Sequence, residues 1–477
     1  MPKSRLFWSL SSNYLRMLFD IVLVLMTIPV LLHAFGSEVY GRWVISLSVF
    51  QLVTLLDAGM SQHLFRIVAS QHEQASKRRS TLLAIQIFFV SISLPIALLV
   101  TLKWHWLGLM ILAGLLLQPF RLLQSWLNGK HQIAQTNISY LVGRSLYGAG
   151  LLVLVLSSQA TFSAVVLLFL LSQAIEMCLS FWFVWRNSER ILPPRSDFSW
   201  TTMKDELQQA QPFFWINVSS LLFTRLEPIV IGSMFGYKWV ALYDVAWRLA
   251  FYFFTFCRQV IHAFSPLLAQ KKDALYASLQ RTLQVSGAIA FPLFAFSCLH
   301  KETLFRAWLG QVSPITLSVF VPLLVVMLMT LLQATLSTTL GLQGEERSVA
   351  LYLILRSALQ LTVSVVGGLC FGWQGYVGGM VLAVVLLDGW VWVRYAGAKL
   401  KLSGVMLWSS FVKQSALPVA ITIGVALLLP PFFQSQPRIA LISHTLVEMG
   451  TYTLLFLGSY CVLFKPQQHD DLGLQTS

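Results

Sequence analysis

The sequence predicts an all-α polytopic membrane protein of about fourteen transmembrane helices, and three observations lead there. The 477 residues are 56% hydrophobic and only 11% charged, against roughly 25% charged in an average soluble domain. Apolar stretches of the ~20 residues a bilayer crossing needs recur along the whole chain. The cations are sorted between alternate connections. Twenty-one lysines and arginines fall at one set of ends and loops, six at the other, and six arginines lie inside spans. Positive residues stay on the cytoplasmic side, so both termini are predicted inside, and the net charge of +14 is mostly membrane orientation. It is not a nucleic-acid footprint.

The predicted spans are centred near residues 24, 50, 91, 117, 148, 173, 224, 251, 290, 326, 360, 384, 422 and 450. The first, "DIVLVLMTIPVLLHAF", is long and lacks a small-x-small cleavage site, so it reads as an uncleaved span rather than a signal peptide. After six spans comes the longest polar connection, residues 186–211, on the inside. It divides the chain into an N-terminal six-helix bundle (1–185), a cytoplasmic linker (186–211) and a C-terminal six-helix bundle (212–395). Residues 396–477 hold two additional helices and a short cytoplasmic tail. The halves echo one another. "FGSEVYGRWVISLSVFQLV" and "FGYKWVALYDVAWRLAFYFF" each carry a Phe-Gly turn and a Tyr entering the next helix, with Gly36 four residues before Tyr40 and Gly236 seven before Tyr243. Duplicated bundles of equal span number are how many transporters enclose a midplane site.

Several function classes are disfavoured. The longest outer loop, near residues 302–313, is too short to present an external catalytic domain, and "GLQGEERS" (341–348) is a polar turn rather than a nucleotide-binding loop. The five cysteines, Cys178, Cys257, Cys298, Cys370 and Cys461, fall in apolar stretches with no metal-ligand spacing. No metal, cofactor or enzymatic activity is expected.

Charges inside spans are expensive, about 2.5–3.5 kcal/mol each on insertion scales, and mark function by default. Arg16 with Asp20, and Asp244 with Arg248, are four apart and are expected to pair along one helix face. Arg356 has Asp388 at a similar depth on the next span. Arg225 and Glu227, in "FFWINVSSLLFTRLEPIVIGSMFG", are two apart, about 200° around a helix, and cannot pair with each other. Pro228 follows at once, so a helix break is expected there. Arg121, Arg144 and Arg258 have no acid within four residues and either snorkel to the inner interface or line water. Together Arg121, Arg144, Arg225, Arg248 and Arg258 are expected to form a cationic path open to the inside, since the guanidinium fork holds phosphate oxygens and stays charged in low dielectric. Asp57, Glu227 and Asp244 are the candidates for ion coupling. The last two predicted spans carry only Glu448 and offer nothing for an anion.

These residues resemble a family. "FGSEVYGRWVISLSVFQLVTLLDAGMSQHLFRIVASQ" is similar to the opening of the polysaccharide and O-antigen flippases, and "IVIGSMFGYKWVALYDVAWRL" with "FSPLLAQ" is similar to the start of their second bundle. They belong to the multidrug, oligosaccharidyl-lipid and polysaccharide export superfamily. The resemblance implies a V-shaped, two-lobed transporter of twelve core helices plus two, without enzymatic activity. By alternating access it would carry undecaprenyl-pyrophosphate-linked oligosaccharide from the inner to the outer leaflet of a bacterial inner membrane, in company with a polysaccharide polymerase and chain-length machinery. Relatives often carry Asp with a basic residue in the seventh span, where this chain has Arg225-Leu226-Glu227-Pro228. A cation or drug exporter of the same superfamily should favour acids over arginines in its cavity. A membrane glycan polymerase or ligase should carry a larger outer loop.

Overall fold

A helix satisfies every backbone N–H within its own segment, which is what a bilayer demands, and all regular elements among the described residues are helical. The computed structural model describes residues 3–55, 57, 59–69, 75–103, 105–130, 132–157, 160–186, 200–268, 272–310 and 312–428. The predicted span near residue 450 with Glu448, Cys461, the tail, and residues 187–199 of the predicted linker lie outside them.

The helices are α1 (Lys3–Leu55), α2 (Met60–Ala69), α3 (Ala75–Lys103), α4 (His105–Gly129), α5 (Ile133–Leu156) and α6 (Phe162–Arg186), followed by α7 (Trp200–Thr224), α8 (Leu226–Phe235) and α9 (Tyr237–Leu268). Then come α10 (Lys272–Leu299), α11 (Lys301–Leu309), α12 (Pro314–Leu342), α13 (Glu346–Leu386), α14 (Val393–Leu400), α15 (Gly404–Val412) and α16 (Ala416–Leu428). Nine segments of the described residues are long and apolar enough to cross a membrane. Two of them, Leu15–Thr54 with 40 residues and Glu346–Leu400 with 55, are long enough for two crossings each.

Both long segments turn at a glycine, as does the α8–α9 junction. Gly36 (φ 73, ψ 173) interrupts α1, Gly236 (φ 92, ψ 170) separates α8 from α9, and Gly372 (φ 64, ψ −150) interrupts α13. Positive φ with extended ψ is essentially confined to glycine. A Cβ would meet nothing within 4 Å at any of the three, so conformation rather than crowding selects glycine there. The Phe-Gly repeat is thus a repeat of backbone geometry, and Phe371-Gly372 is a third copy, again four residues before a buried tyrosine, Tyr376.

The chain divides into two compact units, residues 1–244 with 350–361, and residues 245–349 with 362–477. In the first, α1 packs on α4 and α5, α3 on α4, and α5 on α6. One core cluster joins α2, α3, α4 and α6 to the start of α7 through Met60, Leu82, Leu122, Trp126, Val184 and Met203. α7 begins at Trp200, inside the stretch predicted as linker. Met203, Glu206 and Ala210 are buried there at helical spacing, and Glu206 Oε2 meets His63 Nε2 of α2 at 2.9 Å. In the second unit α10 packs on α12, α15 and α16. A turn of π-helix, Leu387–Trp392, frees the Gly389 carbonyl, which accepts the Trp408 indole N–H at 2.7 Å. The predicted outer loop near 302–313 contains α11, closed by an Arg306–Glu302 pair at 2.5 Å and by Gly310. The polar turn at 341–348 is tied by Lys399 Nζ to Glu345 Oε1 at 2.8 Å. That hydrogen bond, helped by Ser348, holds the Glu345 carboxyl below its ordinary range.

Gly41 serves a different purpose from the turn glycines. A Cβ there would lie 1.9 Å from the Tyr237 carbonyl oxygen, so α1 and the start of α9 touch backbone to backbone. Gly41→Ala is expected to cost about 1–3 kcal/mol, the scale of overpacking, read as a lower unfolding midpoint in detergent. An unchanged midpoint would show that this contact is not kept in solution.

Candidate functional site

Two of the predicted arginines lie on helices of the first unit that pack on each other. Arg121 of α4 and Arg144 of α5 are both half-buried and both feel the charge of Glu176 on α6. Glu176 is held in place by Gln124 Nε2 at 3.2 Å and Gln173 Nε2 at 3.3 Å, and Gln124 also reaches the Ser180 hydroxyl at 3.1 Å. Gly143 makes this possible, because a Cβ there would come within 2.9 Å of the Ser172 carbonyl on α6. Arg144 also approaches Asp20 of α1, Nε to Oδ1 at 3.8 Å, so its acid comes from another helix. The expected Arg16–Asp20 pair does not form. Asp20 takes the Tyr140 hydroxyl at 2.6 Å instead, while Arg16 turns to Asn137 at 3.2 Å.

Arg225 lies at the predicted break. Its backbone (φ −122, ψ −25) separates α7 from α8, and it is half-buried. Pro228 explains the position, since its ring collides with the carbonyl four residues earlier, at Thr224, where α7 stops.

Glu227 is 3% exposed. It accepts hydrogen bonds from the Tyr243 hydroxyl and from Gln360 Nε2, the latter at 2.7 Å, and the buried Arg356 is near enough for its charge to act on it. Asp244, beside Tyr243 and also buried, accepts the Tyr40 hydroxyl at 2.6 Å. The two tyrosines of the Phe-Gly repeat thus do the same work, each donating to an acid set in the membrane. Asp57 is placed differently. Its Oδ1 accepts the Gly59 N–H and its Oδ2 the Ser61 N–H, both at 3.0 Å, so it caps α2, with Asn217 Nδ2 at 3.5 Å.

Arg248 and Arg258 both lie on α9 in the second unit, the first half-buried and the second exposed. A cavity of that unit, lined by Ala250, Phe254, Cys257, Leu293 and Met327 among others, is apolar, and neither arginine lines it. At the predicted inner ends of α3 and α4 a second cationic group appears. Arg79 Cζ lies 4.2 Å and Lys130 Nζ 4.7 Å from the Trp126 ring centroid. Burial pushes Arg79 down to about 10, and burial followed by the Arg79 charge lowers Lys130.

Sequence reasoning missed the neutral members of these clusters, Tyr40, Tyr140, Tyr243 and Gln360. The signal for two was present, since Tyr40 and Tyr243 mark the repeat.

A family model described as polysaccharide biosynthesis protein matches residues 35–312, more than half of the chain. The chain belongs to that family. The resemblance read from the two Phe-Gly segments therefore holds. No curated protein registers as a relative. Among solved structures, the chain is similar to the lipid II flippase MurJ in its inward closed conformation, with a TM-score of 0.73 at 13% identity, over 95% of this chain and 98% of that one. It is also similar to an inward-facing multidrug resistance MATE family transporter of the MOP superfamily, with a TM-score of 0.62 at 15% identity over 80% and 95% of the two chains. A MOP superfamily transporter from Pyrococcus furiosus gives a TM-score of 0.54 at 16% identity over 84% and 95%. At such identities the likeness is one of fold, and the fold is that of multi-pass membrane transporters.

Proposed function

We propose that this protein of the polysaccharide biosynthesis family is a flippase. It carries undecaprenyl-pyrophosphate-linked oligosaccharide, an O-antigen or other surface repeat unit, from the inner to the outer leaflet of a bacterial inner membrane. Both termini are cytoplasmic. The bundles 1–185 and 212–395 act as the lobes of alternating access, and a polymerase with its chain-length machinery takes up the product. The observation that carries this reading is the arginine content of the spans, with Arg121 and Arg144 half-buried on the packed helices α4 and α5, where the charge of Glu176 acts on both. A pyrophosphate bears two or more negative charges, and planar guanidinium forks match its oxygens. Arg121, Arg144, Arg225, Arg248 and Arg258 contact the anion at successive steps. With Asp57 fastened as a helix cap, ion coupling narrows to Glu227 and Asp244, each linked through a tyrosine to a neighbouring helix.

The test is a deletion strain examined by leaflet. Lipid-linked repeat units should accumulate on the cytoplasmic face and regain surface exposure on complementation. Unpolymerised units displayed at the surface of the deletion strain would overturn the reading in favour of a polymerase or ligase. Uptake of a cationic dye by inverted vesicles would overturn it in favour of an exporter.

A further inference from the structure

Arg16 stands out in the first unit because its sequence partner is taken. Asp20 receives the Tyr140 hydroxyl at 2.6 Å and Arg144 Nε at 3.8 Å, and both of these come from α5. Arg16 lays its Cζ 3.9 Å from the centroid of the Tyr140 ring and directs Nη1 to Asn137 Oδ1 at 3.2 Å. Arg144 Cζ lies 5.2 Å from the same ring. Two guanidiniums therefore share one aromatic ring but only Arg144 reaches the carboxylate, and among the described residues no carboxylate lies within ion-pair distance of Arg16.

The energetics ask for an anion. An arginine at the edge of the hydrocarbon without a counter-charge is costly, and the amide of Asn137 is neutral and engages a single nitrogen of a fork that carries five N–H donors. The Arg144–Asp20 contact at 3.8 Å is too long for a hydrogen bond and is purely ionic. Arg144 Nε, although buried, has no hydrogen-bond partner among the described residues. Tyr140 is seven residues into α5, about 10 Å along its axis, from the end that the loop charges place inside.

We propose that Arg16, Asn137, Tyr140 and Arg144 form a docking site for a lipid phosphate ester at the inner-leaflet end of the first unit, with Asp20 as the internal anion that the ligand displaces from Arg144. Tyr140 holds both guanidiniums by cation–π contact, so the donors are preorganised and the ligand supplies the missing charge. Asp20 keeps the empty site from standing as an uncompensated pair of cations. This rests on the reading that the chain carries a lipid-linked anion. The same chemistry would accept a polyprenyl pyrophosphate or a bulk anionic phospholipid.

The full chain in nanodiscs, as wild type, Arg16→Gln and Asp20→Asn, is titrated with a polyprenyl pyrophosphate lacking sugars and, separately, with phosphatidylglycerol. Bound lipid is read by native mass spectrometry. Arg16→Gln should bind the pyrophosphate lipid about tenfold more weakly, the effect of one charge-assisted contact. Asp20→Asn should bind it more tightly, a gain that a misfolded protein cannot mimic. Preference for the pyrophosphate lipid supports the site as one for substrate, and equal binding of phosphatidylglycerol supports it as one for bulk lipid headgroups. Wild-type binding that neither variant alters would overturn the site and leave the flippase reading standing. A wild type that binds no pyrophosphate lipid would overturn both.

Discussion

Glu227→Ala is expected to destabilise the protein by about 2–6 kcal/mol, the cost of taking a shared acceptor from two buried donors. The side chain is 3% exposed, accepts from Tyr243 and Gln360, and lies near enough to the buried Arg356 for that charge to act on it. Alanine removes the acceptor shared by two helices, α9 and α13, and takes it from two buried donors, the Tyr243 hydroxyl and the Gln360 amide. Glu227→Gln keeps the shape and one acceptor oxygen, so it should cost less, about 1–3 kcal/mol. The double variant Glu227→Gln, Arg356→Gln should recover part of the loss, because the two charges then leave together. Unfolding midpoints in detergent of the wild type, Glu227→Gln, Arg356→Gln and the double variant give the coupling directly. If Glu227→Ala melts with the wild type, the cluster is not what ties α8 to α13, and the three contacts are incidental.

The same cluster shows why some of the molecule could be read from its sequence and some could not. Helices declare themselves because apolar runs of bilayer length have few alternative uses, and the break beside Pro228 follows from ring sterics that need no tertiary knowledge. Gly36 and Gly236 were legible as a repeat because the turn they make is closed to other residues. Gly372, in "FGWQGY", carries the same spacing to Tyr376 as Gly36 to Tyr40, but a second glycine, Gly375, blurs the pattern. Partnerships were the harder part. The acid that serves Arg144 is 124 positions away and the amide that serves Glu227 is 133, distances that no helical periodicity encodes. Local pairing rules gave the wrong answer for Arg16 and Asp20, because Tyr140 and Arg144 reach the carboxylate from the neighbouring helix. A buried tyrosine or glutamine looks like ordinary packing until its hydroxyl or amide is seen aimed at a charge. Asp57 reads from the sequence as a candidate for ion coupling, but its two oxygens are both spent on the N-terminus of α2, which only the fold reveals.

Arg225 should show the largest functional effect. It stands at the break between α7 and α8, where backbone is released from helical bonding, and irregular backbone at membrane depth is kept only where it lines a cavity or is buried in protein. Substituting this one side chain removes a fork that can grip two phosphate oxygens at once, while leaving the break itself, which Pro228 enforces. Arg225→Ala is therefore expected to insert normally and to abolish surface glycan. Loss of about 1.5–3 kcal/mol of charge-assisted binding corresponds to a fall of roughly ten- to a hundredfold in substrate affinity. Arg225→Lys keeps the charge but not the planar geometry, so surface glycan should return only in part. The ordering Arg, Lys, Ala separates recognition of an anion from helix stability, because a purely structural arginine would lower membrane abundance along with glycan. Membrane abundance measured by immunoblot beside surface glycan keeps the two apart. Full export by Arg225→Ala at wild-type abundance would remove Arg225 from the anion path and shift the burden of recognition to Arg121 and Arg144.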